Sequence, residues 1–282
     1  MKRIDMHIHT IASDGVFTAE EAVNEAVNKQ MNVIAISDHD SIGSVRRCFD
    51  LAKSENIRVI PAMEATTDYH GTEYHILGYG LNISDPRLTE YMDDTSRIRI
   101  SRETEIVLQA CELFDDVSMQ DYLEFSKQTH APGGFLSLNF LKEMGKVNDL
   151  NEFLALKRNM DLSGVRPFHP SEEVISLMKA LGAVIVLAHP SYHFPGNVAD
   201  NSLLDEFRTL GIDGIECYSP YNDNSDQIGY YRAYCERYAL AVSSGSDCHG
   251  PYLTREMGTP YATDELCNIV RRIDETSAYP SL

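Results

Sequence analysis

The sequence predicts an α/β fold whose seven strands could close a barrel, interrupted by an all-helical insertion. Three observations predict it. Short β-branched apolar runs alternate with segments of helical period, as βαβ units around a parallel sheet require. Seven such runs occur, near 3–6, 33–37, 58–63, 74–79, 183–188, 214–218 and 240–244. Between about 84 and 166 the rhythm stops, and no run reads as a strand.

Taken in order, the first helix signal is 18–28 (TAEEAVNEAVN), which opens with a Thr-x-x-Glu capping box. The segment 171–181 (SEEVISLMKAL) starts with Ser-Glu-Glu and stops before Gly182, a glycine placed to end it. The interrupting stretch reads as several amphipathic helices, among them 98–113 and 151–157, with a Pro-Gly-Gly breaker at 132–134. The expected organisation is a barrel of 1–84 and 167–282 with a helical cap of 85–166.

The 282 residues carry 24 Lys+Arg against 43 Asp+Glu, a net charge of −19. That balance argues against a general binder of nucleic acid or anionic membrane, which needs a basic surface. A hydrophobic content of 43% and a mean hydropathy of −0.28 exclude disorder. No window approaches the roughly 20 apolar residues of a membrane span. The first residues (MKRIDMH) contain no stretch of signal-peptide type. Six scattered cysteines form no Cys-x-x-Cys pair, which suits a reducing cytoplasm.

Six of the ten histidines fall at or just beyond the C-terminal ends of expected strands. His7 and His9 close the first as His-x-His; a strand's period of two turns both rings to one side, where they can share a metal. Asp14 follows in the loop. His39 follows the second strand, Glu64 the third, His75 lies within the fourth, His189 ends the fifth, and Asp247 and His249 end the last. In parallel barrels the strand C-termini converge on one face, so these nine donors are expected to meet in space. Nitrogen and carboxylate donors without thiolates suit Mn, Fe or Zn at a hydrolytic centre, with Mn favoured. Asp5, Asp38 and Asp40 flank the site and are expected to orient the imidazoles.

These motifs, Asp-Met-His-Ile-His-Thr with Ser-Asp-Gly, Ser-Asp-His-Asp, Met-Glu, Tyr-His-Ile-Leu-Gly-Tyr, Ala-His-Pro and Gly-Ser-Asp-Cys-His-Gly, resemble the polymerase-and-histidinol-phosphatase (PHP) domain family. The likeness is to its stand-alone metal-dependent phosphoesterases and covers about 1–84 and 167–282. It implies a distorted (β/α)7 barrel holding three divalent metals, related to the amidohydrolases. Carried over, His7 and His9 would hold one ion, with Glu64 and Asp247 bridging. Glu64, His75 and His189 would hold the second, and Asp14, His39 and His249 the third. The expected chemistry is in-line attack of a metal-bridging hydroxide on phosphorus, with Asp247 accepting its proton. His193 is a further candidate for acid catalysis or phosphate contact.

Within the insertion, Arg99 and Arg102 share a helix face and could clamp a second anionic group of the substrate. Tyr218 and Tyr221 could line a sugar or base pocket. The substrate shell departs from the family: 135–141 reads FLSLNFL, Ser191-Tyr192 precedes His193, and Tyr221-Asn222 stands where relatives carry a basic pair. The expectation is hydrolysis of a small phosphorylated metabolite, a phosphomonoester of a sugar or nucleotide or a cyclic phosphodiester. The alternatives are a C–N hydrolase of amidohydrolase type and a non-catalytic regulatory domain. The eight lysines lie at the terminus, on helix-like segments or in loops, which disfavours a strand-borne carbamate. Three divalent ions would outweigh Asp14, Glu64 and Asp247, so the acidic total need not repel a small anion. Long nucleic acids and membranes are not expected partners, and the sequence sets no oligomeric state.

Overall fold

The computed structural model describes residues 1–128, 133–222 and 224–277. Seven strands form one sheet in chain order: β1 (Ile4–Ile8), β2 (Val33–Ile36), β3 (Arg58–Tyr69), β4 (Thr72–Tyr79), β5 (Val184–Leu187), β6 (Gly214–Tyr218) and β7 (Ala241–Ser244). A bridge from Ile8 to Cys248, with the His9 amide donating to the Cys248 carbonyl at 2.9 Å, brings the last strand's exit back to the first. The result is a nearly closed barrel. Its strands are buried almost throughout, because side chains fill the interior and helices cover the outside.

The sheet is not all parallel, as the βαβ reading expected. β4 runs antiparallel to both β3 and β5. The cause is local: His70 and Gly71, with φ of 53° and 83°, make a two-residue turn that folds β4 directly back on β3. Reversal has a functional consequence. It places His75 opposite Thr66, so Glu64, Thr66 and His75 share one face at the rim where the parallel strands end.

On the barrel wall, α1 (Ala19–Asn28) and α2 (Val45–Ala52) connect the first three strands. The capping box forms as read: the Glu21 amide donates to Thr18 Oγ1 at 3.2 Å and the Thr18 amide to Glu21 Oε2 at 2.8 Å. Between β4 and β5 the described residues contain no strand; they form α3 (Pro86–Leu113), α4 (Met119–Phe125), α5 (Leu136–Glu143), α6 (Leu150–Lys157) and, back on the barrel, α7 (Ser171–Ala180). Gly182, at φ 83°, follows α7. The helix expected at 98–113 starts earlier, because Asp85 caps it and Pro86 fits its first turn. Pro132 of the expected breaker lies outside the described residues. The chain ends with α8 (Asn201–Leu210), α9 (Ser225–Tyr238) and α10 (Ile269–Thr276). Among the described residues, no helix is long and apolar enough to cross a membrane.

The helices α3 to α6 have an apolar cluster of their own, including Ile106, Val107, Phe125, Leu138, Phe140 and Phe153. Phe140 is 1% exposed at its centre, against the rings of Tyr122 and Phe125. Phe140→Ala is therefore expected to cost about 3–5 kcal/mol in urea unfolding followed by circular dichroism, while the metal content of the folded protein stays at the wild-type level.

Candidate metal centre

At the rim, β1 contributes His7 and His9, and the segments leaving β2, β5 and β7 bring His39, His189, Asp247 and His249. β3 and β4 bring Glu64 and His75, and the loop after β1 brings Asp14. Glu64 is fully buried at the middle. Its Oε2 lies 3.0 Å from His7 Nε2, 3.1 Å from His9 Nε2 and 3.3 Å from His39 Nδ1. Its Oε1 lies 2.9 Å from His189 Nε2 and 3.1 Å from His75 Nδ1. Asp247 Oδ1 sits 3.2 Å from His9 Nε2, and Asp14 Oδ2 sits 3.2 Å from His249 Nε2.

Three sets of donor atoms converge closely enough for a metal: His9, Asp14, His39 and His249; His7, His9, Glu64 and Asp247; and His39, Glu64 and His75. The fit to cations rests on a second observation. His7 Nε2, His9 Nε2, His39 Nδ1, His75 Nδ1, Asp14 Oδ1 and Glu64 Oε2 are buried without a hydrogen-bond partner. Buried polar atoms are almost always partnered, and six unpartnered donors gathered at one rim form a set that cations would satisfy. Two strand-end residues of the rim, His189 at φ 24° and Asp247 at φ 50°, hold left-handed backbone that non-glycine residues adopt only when the surroundings impose it.

Electrostatics point the same way. Burial pushes the Glu64 carboxyl up, but His7, His39 and His75 outweigh it and hold it well below the usual range. Burial likewise lowers His9, yet Asp247 and Glu64 raise it to about 10. Clustered carboxylates need cations here, and in the metal-free protein His7, His9 and His75, whose pKa values the carboxylates raise, supply them as protons, whereas burial pushes His39 well down.

Sequence reading missed Glu216, which orients His7. It is fully buried in β6, with Oε1 3.0 Å from His7 Nδ1 and Oε2 accepting the His189 amide at 2.8 Å. A proton on His7 Nδ1 leaves Nε2 free for a metal. The available signal was a carboxylate inside an otherwise apolar strand, Gly214–Tyr218. The His249 Nδ1–H similarly donates to the Asp247 carbonyl at 2.8 Å. The three flanking aspartates do not contact the imidazole rings as expected. Asp5 accepts backbone amides of His7, Ser246 and Gly258 and ties β1 to the segments after β7. Asp38 accepts from Thr10 and Ser13 and reaches His9 only through Ser13. Asp40 accepts from Thr66, Tyr91 and Arg99.

The expected substrate residues divide. Arg99 is engaged by Asp40 at 2.5 Å and Thr66 at 2.8 Å, and Arg102 by Glu73 at 3.0 Å, so both pin α3 to the barrel. Tyr218 is buried in the barrel's apolar core cluster, beside Arg232. Tyr221 does reach the site, donating to Asp247 Oδ2 at 3.0 Å with its ring 5.1 Å from that of His189. His193 lies on the turn Pro190–His193, its ring 4.5 Å from that of Tyr74. Burial, then His75 and His189, push it down to about 4, which favours the neutral imidazole near pH 7, a form that can still hydrogen-bond a phosphate. Asp247 differs from a free proton acceptor, because Tyr221 and Arg255 both donate to its Oδ2. Arg255 lies outside every motif and went unnoticed in the sequence.

A rim of strand-end histidines and carboxylates on a seven-stranded barrel makes a candidate metal centre, and residues 5–117 match the PHP domain family. It is 28% identical over 274 residues to a 5'-3' exoribonuclease of Haemophilus influenzae, spanning 91% of this chain and 93% of that protein. It is 26% identical over 263 residues to a 3',5'-nucleoside bisphosphate phosphatase of Chromobacterium violaceum, spanning 89% of this chain and 88% of that protein. Its fold matches that of a Bifidobacterium adolescentis protein, named a candidate metal-dependent phosphoesterase, with a TM-score of 0.79 at 23% identity over 95% of this chain and 94% of that one.

Two outcomes are expected. A Cβ on Gly245 would stand 2.1 Å from His7 Cβ and 2.4 Å from Glu216 Oε1, so Gly245→Ala should displace the pair and lower bound metal, measured by elemental mass spectrometry. Because metal binds unprotonated imidazole and His7 and His9 have raised pKa values, manganese titrated into weakly buffered metal-free protein at pH 7 should release protons, and its affinity should rise with pH.

Proposed function

We propose that this protein hydrolyses phosphate esters with divalent ions held by His7, His9, Asp14, His39, Glu64, His75, His189, Asp247 and His249. The observation that carries this reading is the convergence of four orphaned imidazole nitrogens, from His7, His9, His39 and His75, on the fully buried Glu64 carboxylate. The three donor sets suit three ions, with Glu64, His9 and His39 each shared between two sets, and His189 stands beside them, 2.9 Å from Glu64 Oε1. Nitrogen and oxygen donors without thiolate favour Mn, with Fe and Zn as alternatives. Such ions, when bound, lower the pKa of water and neutralise phosphoryl and leaving oxygens.

The chain's own groups prepare the site for that chemistry. Glu216 and the Asp247 carbonyl fix the Nδ1 protons of His7 and His249, which aims both Nε2 atoms inward. Asp247 presents Oδ1 to the centre while Tyr221 and Arg255 occupy Oδ2, so it acts as a ligand rather than as a proton acceptor. The α3–α6 segment, proposed as a cap over 85–166, reaches the rim through Phe135, whose ring is tilted 46° to that of His39 at 6.0 Å.

Substrates are small phosphorylated molecules. The relatives named for a nucleoside bisphosphate and for RNA both cleave phosphate esters, which favours this reading over C–N hydrolysis. The ribonuclease name also narrows the exclusion drawn from net charge: a free RNA 5' end belongs beside sugar phosphates, bisphosphates and cyclic phosphates in the substrate panel. Manganese-loaded protein is expected to hydrolyse p-nitrophenyl phosphate or at least one member of that panel. Total inactivity of fully loaded protein contradicts the proposal. His9→Ala, which removes a donor from two sets, should lose bound metal and at least about a hundredfold in rate; unchanged metal content contradicts the ligand assignment.

A further inference from the structure

Four cationic side chains stand around the rim, and they are not equivalent. Arg99 is committed to Asp40 and Thr66, and Arg102 and Lys157 converge on Glu73. Asp40 and Glu73 belong to none of the three donor sets, so those pairs are indifferent to metal. Arg255 is different. It follows β7 in the Gly250–Met257 segment, and its Nη1 donates to Oδ2 of Asp247, a carboxylate whose other oxygen faces His7 and His9.

The geometry points to Arg255 as the residue that binds a phosphoryl oxygen of the substrate, an inference that rests on the phosphoesterase reading. Three observations carry it. First, the guanidinium is held in place rather than free: its centre lies 4.7 Å from the Tyr221 ring centroid, and Tyr221 itself is fixed by donating to Asp247 at 3.0 Å. Second, a guanidinium has five donors in a planar fork and Asp247 takes one of them, leaving an edge suited to a phosphoryl group. Third, its side chain is 20% exposed, the part of the Asp247 pair that solvent or a ligand can reach, whereas Asp247 is 5% exposed.

Charge bookkeeping explains why the arginine is unspent in the working protein. In the metal-free site Asp247 balances Arg255. Divalent ions held by Asp247 and Glu64, the two carboxylates that act on Arg255, would claim the same charge, and Arg255 would then stand beside surplus positive charge. An anion is what that arrangement selects, and a phosphoryl group contacted by both ions and guanidinium fits it.

The test uses inorganic phosphate and the manganese-loaded full chain, with three readouts: bound metal by elemental mass spectrometry, phosphate Kd by calorimetry, and KM and kcat on the best ester. Arg255→Ala should keep its metal, weaken phosphate by about tenfold or more, and raise KM more than it lowers kcat. Arg255→Lys, which keeps the charge and loses the fork, should fall between. Unchanged phosphate affinity in metal-replete Arg255→Ala overturns the assignment. Loss of metal in both variants overturns it too, because it makes Arg255 a support for Asp247 alone. Failure of wild-type protein to hydrolyse any ester, with phosphate still bound through Arg255, instead overturns the phosphoesterase reading.

Discussion

The structure depends on one buried carboxylate. Glu64 lies within 3.3 Å of five imidazoles, three at one oxygen and two at the other, with no exposure to water. Removing a carboxylate from water costs several kcal/mol, and only cations at both oxygens offset it. Protons on the histidines serve in the metal-free protein, and metal ions serve better, because each satisfies several donors at once. The surrounding architecture meets this constraint: five strands deliver donors from their ends, β4 turns back to supply His75, and Gly245 stays without a side chain so that Glu216 can reach His7.

Much of this was legible in the sequence. All seven strands, the capping box and the helical character of the interrupting stretch follow from hydrophobic period and cap chemistry. The nine donors were legible because strand ends of a barrel converge whatever the intervening length. What escaped was set by tertiary context. The reversal of β4 depends on a two-residue His70-Gly71 turn, which is a weak signal beside the stronger alternation of strands and helices. Tyr218 and Tyr221 look alike in the sequence as aromatic candidates for a pocket, but only tertiary packing decides that Tyr218 joins the core while Tyr221 reaches Asp247. Arg99 and Arg102 do share a helix face, but helical spacing says nothing about the Asp40 and Glu73 carboxylates waiting across the interface. Glu216 and Arg255 act through contacts some 209 and 8 residues away in the chain, one invisible to any window and the other hidden in a loop without periodicity.

The net charge of −19 takes on a different meaning once the site is built. Bound divalent ions and Arg255 would offset the site's carboxylates locally, so the acidic total need not repel a small phosphate ester. An extended polyanion meets the surface, but a terminal phosphate or a small ester meets only the pocket. Kinship to proteins named for a nucleoside bisphosphate and for RNA is consistent with one metal-lined pocket serving phosphate groups presented in different ways.

The central claim is that Glu64 is the hub of a divalent-metal centre. Anomalous diffraction at the manganese edge, on crystals of the manganese-loaded protein, tests it most directly. The account predicts strong peaks flanking Glu64 within reach of His7, His9, His39, His75 and His189, and a further peak between Asp14 and His249. A fully loaded crystal whose peaks lie elsewhere, or that leaves the Glu64 oxygens without a metal neighbour, would contradict it.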